Sequence, residues 1–117
     1  MAVAHANQAW LFLREEKKEA AKENARTAIR LWRSLPIVSP FQELAFWPLT
    51  VIAMQDNDLG AAIEYLQAML HPSQHQFSAD LTTAMENTIR LSEERKLEES
   101  RRELERTLER ARQEKHL

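Results

Sequence analysis

The chain has 117 residues, a net charge of −2, one glycine, four prolines and no cysteine. That length allows one domain with a modest core, and so little glycine leaves few places for the tight turns of β-hairpins. Disulfides, thiolate metal sites and cysteine nucleophiles are excluded. Ala, Leu, Glu, Arg, Lys and Gln dominate, all strong helix formers, so an all-α fold over residues 1–117 is expected.

No apolar run approaches the ~20 residues of a membrane span. MAVAHANQAW has no basic start leading into an apolar core, so a cytoplasmic protein with no membrane partner is expected. Charge is segregated along the chain. Residues 34–89 contain no Lys or Arg, while Glu43, Asp56, Asp58, Glu64, Asp80 and Glu86 all fall there. Phosphate binding needs clustered cations, which argues against a nucleic-acid partner.

The first element covers Val3 to Arg33, without Gly or Pro. Ala9, Phe12 and Leu13, then Ala21, Ala25, Ala28, Ile29 and Leu31, recur at helical spacing. Between them REEKKE is polar all round, so the stretch reads either as one long helix or as two helices meeting near Glu16–Lys18. After the linker SLPIVSP, Ser39-Pro40-Phe41-Gln42 has the make-up of a helix start, with Ser as cap, Pro at the first helical position and Gln as capping-box partner. The helix from Phe41 to Gln55 contains Pro48, which either bends it or begins its regular part. Asn57 or Asp58 caps a helix from Leu59 to Leu70. HPSQHQ breaks the chain, and Ser78 with Asp80 starts another helix through Met85, Ile89 and Leu91. From Ser92 onward no breaker occurs.

Three helix pairs recur at similar spacing. Ala62, Leu66, Met69 and Leu70 correspond to Ala21, Ala25, Ala28 and Ile29, 41 residues earlier, and to Ser100, Leu104, Thr107 and Leu108, 38 residues later. Phe12, Ala53 and Leu91 close the preceding helices. Small residues recur because antiparallel helices about 8–10 Å apart need them where the axes approach. The hairpins fall near 3–34, 41–71 and 78–115.

Ala21 and Ala28, Ala62 with IEYLQ after it, and Phe12 resemble the tetratricopeptide repeat, a helix-turn-helix unit of about 34 residues. In place of that family's first-helix glycine stand Ala9, Thr50 and Thr88, and in place of its turn glycine Glu16, Asn57 and Arg95. The resemblance implies a right-handed superhelical solenoid of about three antiparallel hairpins. It is nearest to the C-terminal repeat regions of large bacterial signalling proteins that pair such repeats with a cyclase, ATPase or transcriptional-activator module. It further implies a concave face lined by first helices, here Trp10, Leu13, Arg14, Trp47, Val51, Met54, Met85 and Ile89. The alternative is that these residues are core between stacked hairpins. The carboxylate clamp that some members use for chaperone tails needs cations where this chain is mostly apolar.

Catalytic constellations are thin. His71 and His75 are split by Pro72 and lack a third ligand nearby. Glu15-Glu16 and Glu93-Glu94 sit beside Arg and Lys at polar helix edges, and no phosphate loop, GxSxG or HExxH occurs. The last helix repeats Leu97, Leu104 and Ala111 every seven residues with Ser100 and Thr107 between them, which reads as a polar cap on the array or a thin coiled-coil seam. The expected function is a non-enzymatic scaffold for protein–protein or interdomain contact, without cofactor or metal. The alternative is homodimerisation through VAHANQAWLFL.

Overall fold

The computed structural model describes residues 2–35 and 41–117. Among these are six helices and no strand: α1 (Ala2–Arg14), α2 (Lys18–Arg33), α3 (Glu43–Gln55), α4 (Leu59–Met69), α5 (Ala79–Glu93) and α6 (Leu97–Gln113). The Ser39-Pro40 part of the expected helix start lies outside the described residues. Pro48 sits inside α3 rather than at its beginning.

Residues 3–33 form two helices. The break is a backbone device rather than a composition effect. The Lys17 amide donates to the Phe12 carbonyl at 2.8 Å and the Glu16 amide to Leu13 at 3.1 Å, with Glu16 at φ 61°. This is the turn that closes helices through a left-handed residue. The same pair of bonds joins Asp58 to Ala53 and Asn57 to Met54, and again Lys96 to Leu91 and Arg95 to Ser92. Asn57 and Arg95 both have φ 62°. Local propensity favours a continuous helix through REEKKE, and burial overrides it: folding back lets α1 cover Ala21, Ala25 and Ala28, all fully buried.

The small residues lie where the helices of each pair face one another. Ala9, Thr50 and Thr88 are fully buried, as are Ala21, Ala62 and Ser100. In the third hairpin the contact is polar. The Ser100 hydroxyl donates to the Thr88 carbonyl at 2.8 Å, and the Thr88 and Thr107 hydroxyls meet at 3.2 Å. Burying hydroxyls is tolerable because each finds a partner.

α1 packs on α2 and α3, α3 on α2 and α4, α4 on α5, and α5 on α6. Every residue from Ala45 to Ala53 is buried, the mark of a helix that is apolar all round and sits in a core. Trp32 is buried in the same cluster. Asp58 caps α4 by accepting from the Ala61 amide at 3.1 Å, and Ser78 caps α5 through the Leu81 amide at 3.1 Å. The turn after α3 ties its neighbours together: Lys18 pairs with Asp56, and Arg101 donates to Asn57. The radius of gyration, 13.5 Å, is that of a compact body of this length, about 13 Å.

Candidate interaction site

Four of the eight residues expected on a concave face come together. Trp10, Leu13 and Arg14 from α1 and Val51 from α3 line a cleft of about 360 Å³ with Gln55, Arg112 and Leu117. The Arg14 guanidinium lies over the Trp10 ring, 4.6 Å from its centroid. It forms no ion pair with a carboxylate among the described residues. Arg112 meets Glu109 at 3.6 Å on the surface, a contact that contributes little. The cleft therefore has an apolar floor and a cationic rim.

The other four residues lie elsewhere. Trp47 and Met85 are 1% and 0% exposed, so they belong to the core and do not line an open face. Val51 is 7% exposed and offers the cleft only an edge. The physical reason is that α3 is buried on every side from Ala45 to Ala53, with His116, beyond α6, stacked on Trp47. Met54 lines a separate crevice of about 210 Å³ with Leu59, Leu97, Arg101 and Leu104. Ile89 is half-buried against the core.

Around Trp47 is an aromatic cluster. His116 stacks on the indole, with ring centroids 6.1 Å apart and planes at 22°. Phe77 meets the indole edge-on at 5.7 Å and His116 at 5.1 Å. His75 lies between Phe41 and Phe77. Burial pushes the His116 imidazole below its ordinary pKa, helped slightly by His75 and opposed by Glu114. One turn before Trp47, the buried Glu43 carboxyl is raised by desolvation, against a backbone hydrogen bond and His75. Glu43 Oε2 and Trp47 Nε1 are both buried without a hydrogen-bond partner.

His71 and His75 line one cleft of about 600 Å³ with Gln74, Phe77 and Thr82. His71 is engaged with Ser73, its Nδ1 accepting from the Ser73 amide at 3.1 Å. The paired glutamates are exposed, and one of each pair is salt-bridged: Glu15 with Lys17 at 3.2 Å, and Glu94 with Arg90 at 3.5 Å.

Gln55, Arg112 and Leu117 were not among the expected groove residues. Arg112 and Leu117 belong to a charged run whose periodicity concerns only its own helix. What brings them to α1 is the tertiary placement of α6 and, for Leu117, the turn that follows it, which no local spacing encodes. No protein family, curated protein or solved structure matches this chain.

Proposed function

We propose that this chain is a non-catalytic helical-repeat scaffold of the tetratricopeptide kind. It docks a segment of another protein, or of a neighbouring domain in a larger bacterial regulatory chain, at the α1–α3–α6 cleft. Support for the repeat reading comes from three hairpins with the same turn and small buried residues at matching offsets. The observation that carries the docking is the cleft itself, where Trp10, Leu13 and an edge of Val51 supply the apolar floor beside the guanidinium groups of Arg14 and Arg112. An aliphatic side chain fits such a floor, and a neighbouring carboxylate fits the rim, where arginine can take it with two parallel hydrogen bonds.

Selection of a displayed random-peptide library on the immobilised protein tests this. Retained peptides are expected to join aliphatic residues to Asp or Glu. Their affinity is expected to fall at least tenfold, about 1.4 kcal/mol, on Trp10→Ala and on Arg14→Glu. Peptides that bind the parent and both variants equally would remove the cleft from the account.

One observation favours a second reading, self-association. From Ala2 to Leu13, α1 has no Asp, Glu, Lys or Arg, and Val3 and Leu11 are 42% and 46% exposed. Light scattering at high micromolar concentration decides it, since a monomer there excludes the dimer.

A further inference from the structure

α6 ends in the same turn that closes α1, α3 and α5. The His116 amide donates to the Ala111 carbonyl at 2.8 Å and the Lys115 amide to Arg112 at 3.0 Å, with Lys115 at φ 67°. In the hairpins this turn passes the chain into a second helix. After α6 it passes the chain back onto α3 and α1. His116 lands on the Trp47 ring with Phe77 at its edge. Leu117, half-buried, walls the cleft beside Trp10, Leu13 and Val51.

The fixed point of this turn is Glu114. Its carboxylate accepts from the Ser78 hydroxyl at 2.9 Å and from Arg110 Nε at 2.7 Å, and Arg110 also reaches Asp80 at 3.0 Å. Beyond Glu114 the holding forces change in kind. The side chains of His116 and Leu117 make no hydrogen bond or ion pair with the described residues, only ring contacts and apolar packing. The segment can therefore leave without breaking a polar side-chain bond.

We propose that residues 115–117 are a built-in occupant of the inner face formed by α1 and α3, a latch that a partner's aliphatic segment must displace to seat fully in the cleft. This rests on the interaction reading above. The latch is also sensitive to pH. The groups facing His116 are Glu114 on its own segment and His75 from the α4–α5 connection, while Trp47 of α3 and Phe77 bring no charge. Because burial disfavours the imidazolium, the docked state is complete above pH 6.5, the ordinary value. It weakens as pH falls from there through the lowered value.

The test uses 8-anilinonaphthalene-1-sulfonate, whose rings and sulfonate match the floor and rim. At pH 7.5, His116→Ala and Leu117→Ser are each expected to tighten dye binding three- to tenfold. The parent's affinity should rise between pH 7 and 5.5, with His116→Gln flat over that range. Adding Trp10→Ala should cancel the gain, which separates the cleft from general loosening of the fold. Far-UV circular dichroism and a cooperative melt check that the variants fold. Unchanged or weaker dye binding in both the His116 and Leu117 variants overturns the latch, as does a gain that survives Trp10→Ala. Peptides that bind the parent and the His116 and Leu117 variants alike also overturn the latch but leave the interaction reading standing. A dye gain with no selectable peptide does the reverse.

Discussion

α3 and α6 have similar lengths, 13 and 17 residues, and opposite chemistry. α3 has one charged residue, Glu43, and is buried on every side from Ala45 to Ala53. In α6 ten of 17 residues are Glu or Arg, and only Ser100, Leu104, Thr107, Leu108 and Ala111 are buried. α3 packs against α1, α2 and α4. α6 closes the assembly against water and brings Arg112 and Leu117 to the cleft. Stability thus resides mainly in α3, whereas α6 combines a narrow packing stripe with surface chemistry open to change.

Side-chain truncation is the strongest way to break that contrast. Trp47→Ala removes a fully buried indole and is expected to cost about 3–5 kcal/mol in urea unfolding. Arg106→Ala, at an exposed ion pair 3.3 Å from Glu103, should stay within about 0.5 kcal/mol. Comparable losses at the two positions would refute the division. Next in size is overpacking. Ala28→Leu at the fully buried α1–α2 contact should cost about 1–3 kcal/mol. Thr107→Val, which loses the hydroxyl contact to Thr88 but keeps the volume, should cost about 1 kcal/mol.

Much of the helical layout was readable from residue offsets. Ala21, Ala62 and Ser100 are buried at helix contacts because close approach demands small side chains, and that demand shows in one dimension. Ser78 announced its cap in the same way, and of the two candidates Asn57 and Asp58 the structure selects Asp58. Two things were less accessible. Whether residues 3–33 fold back depends on burying Ala6 and Ala9 against α2, a tertiary gain that outweighs the helical preference of REEKKE. The cleft depends on the tertiary placement that brings Arg112 and Leu117 to Trp10. Trp47 and Met85 read equally well as groove or core from spacing, and only their full burial in the folded core, with His116 stacked on Trp47, resolves them.

The one charge of α3 offers a finer probe. Desolvation raises the pKa of Glu43 above 4.5, so the folded state holds its proton more tightly than the unfolded chain. The sign follows: this group's penalty is absent below pH 4.5 and grows as pH rises through the raised value. Glu43→Gln should therefore be more stable than the parent near neutral pH, by about 1 kcal/mol, and the difference should shrink on acidification. A variant less stable than the parent at pH 7 would mean that the ionised carboxylate is held by a favourable contact. His116 acts oppositely, destabilising the fold as it gains a proton, so the comparison should be made in a His116→Gln background.

The smallest effects concern what the hairpins share. Glu16, Asn57 and Arg95 occupy the left-handed turn position, where a side chain with a Cβ costs about 1–2 kcal/mol and asparagine is tolerated better. Glycine removes that cost but adds freedom to the unfolded chain. Glu16→Gly and Arg95→Gly should therefore each raise stability by about 0.5–1 kcal/mol, and Asn57→Gly by no more than a few tenths. Asn57 has a second reason to gain least, because its side-chain oxygen accepts from Arg101, and glycine would give up that link between the second and third hairpins. If Asn57→Gly gained as much as the other two, the three turns would be independent closures. A net loss there, beside clear gains at Glu16 and Arg95, identifies the middle turn as the joint through which α6 is held to the rest.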